Sequence, residues 1–295
     1  MRHGVLGAGG IGGLIAAALA RAGRDVVVVM RPEALVSYDG RLRVESVVLG
    51  DFDVEVPAAT ELEGEVDVLW FAVKATQLEP AVKLASPQRI GSAWVVPLLN
   101  GVDHVAFLRT RYSNVVAAAI RVESERVSSG RIRQSSPFVR VELAGQEQIA
   151  DELRAAGIET RVRADERTLL WEKLAFLAPL ALATTAFDAP LGAIRDEERY
   201  LRCQQEALAV AYAEGAKVQA DALRALSSTA PDGMKSSMQK DVAAGQWPEL
   251  DAIAGPILRG GERHAIPVPA TIELVHRVEA RMSPEPAVRE VNYRS

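Results

Sequence analysis

The sequence predicts an α/β fold: an N-terminal parallel-sheet domain followed by an all-helical one. Three observations carry that prediction. The first half alternates short β-branched runs with helical stretches. A glycine-rich turn follows the first of those runs directly. From about residue 167 the texture changes to long Ala/Leu/Glu-rich stretches. Length agrees, since 295 residues make about two domains.

In chain order, strands are expected at 4–6, 25–30, 66–73, 94–99 and 115–120, with helices at 10–22, 78–85 and 105–111 between them. Near-continuous apolar strands of this kind read as a parallel sheet covered on both faces. Strands at 131–134 and 138–143, separated by Ser135-Ser136-Pro137, are expected to form an antiparallel addition. A helix at 146–156 and a strand at 158–162 close the domain. The boundary is expected near 166, giving units 1–166 and 167–295, with long helices at 167–187, 197–216 and 268–281. The tail 282–295 is expected to fray or lie on the surface.

Composition narrows the function. Lys+Arg 34 against Asp+Glu 39 gives a net charge of −5, so no general attraction to nucleic acid or an anionic membrane is built in. The Arg-rich segment 121–133 alternates with Glu123 and Glu125 and reads as a mixed charged surface. Cys203 is the one cysteine, which excludes an intramolecular disulfide and reads as a packing residue in a reducing, cytoplasmic setting. His3, His104, His264 and His276 show no metal-ligand spacing, so no metal is expected. Glycines at 7, 9, 10, 12 and 13, with Arg21 and Arg24 close behind, argue against a signal peptide. No run reaches the roughly 18 uninterrupted apolar residues of a membrane span.

Gly7, Ala8, Gly9, Gly10, Ile11 and Gly12 make a G-x-G-x-x-G turn between a strand and a helix, the context that gives the motif meaning. Gly7 permits the tight turn, Gly9 lets a pyrophosphate approach the backbone, and Gly12 lets helix and strand pack closely. The exposed amides and the positive helix end then hold phosphates. A Rossmann-type dinucleotide site is the reading, against a merely flexible turn. Where an NAD site usually carries an acidic residue, the second strand ends in Met30-Arg31-Pro32. Arg31 can grip a 2′-phosphate bidentately, which favours NADP(H). Glu33 is the NAD alternative, and a solvated loop arginine is the bland account of Arg31.

The turn at 7–12, Arg31, Val73-Lys74, Asn100-Gly101, Glu172-Lys173-Leu174, Ser236-Ser237-Met238 and Glu249-Leu250-Asp251 occur in an order that resembles the ketopantoate reductases (2-dehydropantoate 2-reductases). The likeness covers nearly the whole chain. It implies a Rossmann domain, a helical domain and an active site between them. The implied reaction is hydride delivery from NADPH to C2 of a 2-keto acid, on the route to pantothenate.

Hydride attack on a ketone develops negative charge on oxygen, so a nearby proton donor lowers the barrier. Lys173 is one of only six lysines and sits among Leu169, Leu170, Trp171, Leu174, Phe176 and Leu177, where partial desolvation would tune it as an acid. By resemblance it is the general acid; otherwise it snorkels to water or pairs with Glu172 or Glu166. The resemblance gives Asn100 contacts to substrate carbonyl and cofactor, Lys74 and Glu249 contacts to cofactor, and Ser237 the substrate carboxylate. The plain alternatives are an Asn-Gly turn, a strand-end lysine, a carboxylate at a helix N-terminus and an ordinary helix serine.

The match breaks on the substrate side. Positions where the family carries amides read Leu177, Ala181, Leu191 and Met234. A site built on hydrogen bonds discriminates through them, and apolar side chains cannot reproduce that. The substrate expected is a keto acid, ketopantoate or a more apolar relative, with a homodimer as the expected assembly. Two alternatives stay open: an NADP(H) sensor without turnover, and a 3-hydroxyacid dehydrogenase of the 6-phosphogluconate type. The second is disfavoured because Pro179 and Pro190 are expected to break the long helix it needs.

Overall fold

Strand–helix alternation produces a parallel sheet in the computed structural model, which describes residues 1–282; the expected surface tail beyond Met282 lies outside the described residues. The first elements are β1 (Arg2–Leu6), α1 (Gly10–Arg21), β2 (Asp25–Val29), α2 (Pro32–Val36), β3 (Arg41–Ser46), β4 (Phe52–Glu55), β5 (Ala58–Ala59) and β6 (Val68–Phe71). There follow α3 (Leu78–Lys83), α4 (Pro87–Ile90), β7 (Trp94–Pro97), α5 (Asp103–Arg109), β8 (Ala118–Arg121), β9 (Ser124–Ser128) and β10 (Arg131–Gln134). β11 (Arg140–Ala144), α6 (Glu147–Ala155) and β12 (Glu159–Arg163) complete the sheet-bearing part. The helical part comprises α7 (Glu166–Phe187), α8 (Leu191–Ile194), α9 (Glu198–Ala213), α10 (Ala220–Thr229), α11 (Ser237–Ala243), α12 (Leu250–Arg263) and α13 (Pro269–Met282).

The central sheet has the order β5-β2-β1-β6-β7, all neighbours parallel. Its strands are buried on both faces because alternate side chains feed two cores. Val5, Val28, Trp70 and Val96 pack with Leu14, Ile15, Ala18 and Leu19 of α1 on one side. Leu6, Val29, Phe71 and Val95 pack with Leu78, Val105, Leu108, Leu169 and Leu170 on the other. A parallel bridge from Val95 to Val115 leads into a three-stranded sheet, β12-β11-β8.

Two local expectations are corrected. β10 and β11 each have an antiparallel neighbour but do not pair with one another: β10 lies between β3 and β9 in a separate four-stranded sheet, β4-β3-β10-β9, and β11 pairs with β8 and β12. The connection between them is held by Gln134, whose Nε2 donates to Ser136 Oγ (2.9 Å) and whose Oε1 accepts from Ser46 (2.7 Å). Nor does Pro179 break the helix after Lys173; α7 runs through it for 22 residues. A proline inside a helix costs about 3 kcal/mol, which the burial of Leu174, Ala178, Leu180 and Leu182 around it offsets. α7 is long and apolar enough to cross a membrane by composition, yet 72% of its apolar window is buried inside the protein, as in a core helix.

The chain divides into two compact units. One is Met1–Leu174 with Gly215–Val218; the other is Ala175–Glu214 with the chain from Gln219 onward. In the second, α9, α12 and α13 pack together. A Cβ on Gly260 would lie 2.4 Å from Val210 Cγ1, so glycine permits the α9–α12 approach. Glu206 of α9 caps α13, accepting from the amides of Ala270 and Thr271 at 2.8 Å each. Cys203 is fully buried, its thiol pushed up to about 12 by burial, a packing residue as expected.

Candidate active site

The turn at 7–12 shows what each missing side chain permits. Gly7 has φ +97°, a conformation that favours glycine, and its amide donates to Val29 O at 2.9 Å, tying β1 to β2. A Cβ on Gly12 would lie 1.9 Å from Gly7 O, so the helix packs on the turn only because that atom is absent. Around Gly9 the position of a Cβ is open for 4 Å, which leaves the backbone approachable beside the start of α1. Gly10 is different: a Cβ there would meet Ser124 O at 2.2 Å, and Ser124 Oγ donates to Gly10 O at 2.8 Å. The second sheet therefore closes on the turn through β9. The sequence carried no signal for Ser124, which sits in a strand that reads as charged surface.

Three of the expected cofactor residues stand along the same carboxyl edge of the central sheet, where ligands of open α/β sheets bind. Arg31, exposed, follows β2 and N-caps α2. Lys74, half-buried, follows β6, and its carbonyl accepts from Gln77 at 2.8 Å in a single 3₁₀ turn. Asn100 follows β7, and Gly101 beside it turns the chain with φ +89°.

Lys173 lies on the same unit, half-buried on α7. Its helix is clamped at two points. Arg109 of α5 makes a two-bond ion pair with Glu166 (2.7 and 2.6 Å). Arg163 of β12 makes another with Glu172 (3.0 and 3.2 Å), so Glu172 is engaged with arginine at the position beside Lys173. Arg163 also donates to Glu142 at 2.8 Å, and Glu142 pairs with Arg121. Burial alone would raise the Glu142 pKa, but the two guanidiniums hold it below its ordinary value.

His104, in the first turn of α5, received no role from the sequence. It is 6% exposed, and neither ring nitrogen reaches a hydrogen-bond partner. Burial pushes its pKa down to about 3 and the Lys173 charge pushes the same way, while the Asn100 backbone opposes both without reaching hydrogen-bond geometry. A single buried histidine leaves no periodic mark by which to find it.

Ser237 and Glu249 belong to the second unit. Ser237 is exposed at the start of α11. The helix is capped by its neighbour Ser236, whose Oγ accepts from Gln239 N at 3.0 Å and bonds Thr184 Oγ1 at 2.8 Å. Glu249 N-caps α12 through its backbone, with no side-chain cap bond. The four positions at which the resemblance puts amides also lie in this unit. Leu177 and Ala181 are one turn apart on α7, and Leu191 N donates to Met234 O at 2.9 Å. Ala181 and Leu191 are buried, whereas Leu177 and Met234 keep exposed surface.

Residues 3–144 match the family model described as ketopantoate reductase PanE/ApbA, and residues 165–281 match its C-terminal counterpart. The chain belongs to the ketopantoate reductase family. As a ketopantoate reductase family member it is an oxidoreductase. A 2-dehydropantoate 2-reductase of Mycobacterium tuberculosis is 30% identical over 289 residues, covering 92% of this chain and 94% of that protein. The crystal structure of a PanE/ApbA family ketopantoate reductase from Ralstonia eutropha has a TM-score of 0.87 at 29% identity, over 96% of this chain and 98% of that one. A D-mandelate dehydrogenase solved with NADH and anilino(oxo)acetate has a TM-score of 0.84 at 19% identity, over 96% and 98% of the two chains, a likeness of fold.

Proposed function

We propose that this chain reduces the ketone of a 2-keto acid with an apolar side chain, using NADPH, with Lys173 as the general acid. The observation that carries the reading is one compact unit holding both an approachable glycine turn at the carboxyl edge of the sheet and a half-buried lysine on the adjoining helix. The open surroundings of Gly9 fit a bound pyrophosphate, and the start of α1 supplies amides for it. Arg31 would take the 2′-phosphate, with Lys74, Asn100 and Glu249 as the further cofactor contacts that family resemblance assigns. Bound reduced nicotinamide supplies a hydride to the carbonyl carbon.

The protein's own part is the oxygen. As the carbonyl electron pair moves onto it, the Lys173 ammonium gives it a proton, and the resulting hydroxyl stays neutral. Asn100 orients the carbonyl and Ser237 receives the substrate carboxylate. Leu177 and Met234 offer apolar surface where the family has amides, which supports a substrate bulkier and less polar than ketopantoate. Thr184 and Thr185, on the same helix, do not replace those amides: they donate to the carbonyls of Leu180 and Ala181 at 2.7 and 2.6 Å.

NADPH oxidation measured across a panel of 2-keto acids, for wild type and Lys173→Ala, tests the proposal. The variant is expected to bind NADPH normally and lose at least about a hundredfold in turnover. An unchanged rate would remove the acid role, and binding without turnover across the panel would favour a sensor.

A further inference from the structure

His104 is a buried polar group that the reading above leaves unused. Native structures keep few buried polar groups unpaired, and each that remains calls for an explanation, a catalytic role among them. Its placement follows from two helices. α5 and the start of α7 share a core through Val105, Leu108, Leu169 and Leu170, and the Arg109–Glu166 pair pins them together at one level. From that pin His104 lies five residues back along α5, about 7.5 Å, and Lys173 seven residues on along α7, about 10.5 Å. Both residues belong to the same compact unit, and the Lys173 charge acts on the imidazole.

We propose that His104 is a positioning residue for Lys173: in the reactive complex its neutral ring accepts a hydrogen bond from the ammonium and aims Nζ at the substrate oxygen beside Asn100. The inference rests on Lys173 being the general acid. Catalytic hydrogen bonds are often too long in a ligand-free protein and tighten on substrate binding, which accounts for an acceptor without a partner here. The surrounding charges allow it. Lys173 is the charged group whose field is felt at His104. Glu166 and Glu172 are engaged by Arg109 and Arg163, and Asp103 lies beside His104 at the head of α5. A ring held neutral keeps an acceptor nitrogen through the working pH range.

The test is the pH profile of kcat and kcat/KM for the full chain with NADPH and its best keto acid, in wild type, Lys173→Ala, His104→Leu and His104→Gln. An acceptor stabilises the ammonium, so removing it makes the proton easier to lose. His104→Leu is expected to lower kcat about tenfold with KM within twofold, and to move the high-pH limb of kcat down by about one pH unit, a tenfold change in proton affinity. His104→Gln, whose amide oxygen accepts, is expected to recover most of both. If His104→Leu changes only the Tm and leaves the limb in place, the inference is overturned while the acid role stands. If Lys173→Ala turns over normally, the underlying reading fails first. Should His104→Leu not fold, ¹⁵N shifts of the His104 ring decide, in wild type and Lys173→Met saturated with NADP⁺ and the hydroxy acid. A bonded acceptor nitrogen in wild type alone supports the proposal; identical shifts in both proteins refute it.

Discussion

The glycine turn of the first unit and the apolar patch of the second meet their surroundings in opposite ways. At Gly7 and Gly12 the family pattern is kept because backbone geometry leaves no alternative: Gly7 needs φ +97° and Gly12 has Gly7 O where its Cβ would be. At 177, 181, 191 and 234, where the resemblance puts amides, the chain carries Leu, Ala, Leu and Met, and the difference lies in side chains alone. Constraints written in the main chain resist change, whereas those written in side chains are free to redirect specificity. The substitutions below test that contrast, beginning with the largest effect.

Gly12→Ala forces an atom to 1.9 Å from a carbonyl oxygen, so α1 must leave its strand. The expected loss is more than about 4 kcal/mol, in the range reserved for overpacking and strain, read as a collapse of Tm or of soluble yield. Gly9→Ala, with open space around its Cβ, is expected to keep the Tm within a few degrees and to weaken NADPH binding instead. If the two behave alike, the division between packing glycine and approach glycine is wrong.

That division also marks how far the sequence could be read. The β1–α1–β2 unit was legible because glycine spacing and runs such as Val26–Val29 have few other uses. β3 and β9 were not: RLRVES alternates charge with apolar residues, SERVS has a single apolar residue beside two charges, and both read as solvated surface. α12 hides behind Pro256 and glycines at 255, 260 and 261, which signal breaks until Val210 is seen packed against Gly260. In the site, Lys173 and Asn100 came from motif order. His104 and the Arg163–Glu172 clamp depend on long-range packing that no local pattern encodes.

The Glu142 network is the side-chain counterpart of the glycine turn within the first unit, and it is expected to be less absolute. Glu142→Gln removes the carboxylate that Arg121 and Arg163 share in a nearly buried place, at a cost of about 3 kcal/mol at neutral pH. Because the folded-state pKa is lowered, this contribution is complete above the ordinary carboxylate value of 4.5 and is lost as pH falls through the depressed value. Denaturant midpoints at pH 7 and near pH 3 should therefore converge between wild type and variant in acid. A gap that is constant with pH would show that the pair is not what stabilises the sheet.

Arg31→Ala addresses cofactor choice at an exposed side chain, with little effect on stability expected. If the guanidinium grips a 2′-phosphate, the variant loses about 2 kcal/mol of NADPH binding, near thirtyfold, with NADH binding almost unchanged. Equal losses for the two cofactors would make Arg31 an ordinary loop residue and return attention to Glu33.

The smallest effect is expected at the positions where the resemblance puts amides. Leu177→Asn and Met234→Asn restore amides at the two replaced positions that keep exposed surface, so neither must open the core. Ala181→Asn and Leu191→Asn would place a polar group in buried surroundings and are expected to cost stability before they touch specificity. One regained hydrogen bond contributes about 1 kcal/mol, so each exposed variant should move the ratio of kcat/KM for ketopantoate over a larger apolar keto acid by about fivefold toward ketopantoate. A ratio that does not move would mean that these side chains do not contact the part of the substrate that differs between the two keto acids. A shift in KM with kcat constant would show that the patch contributes uniform binding and leaves the chemistry to the unit that carries Lys173.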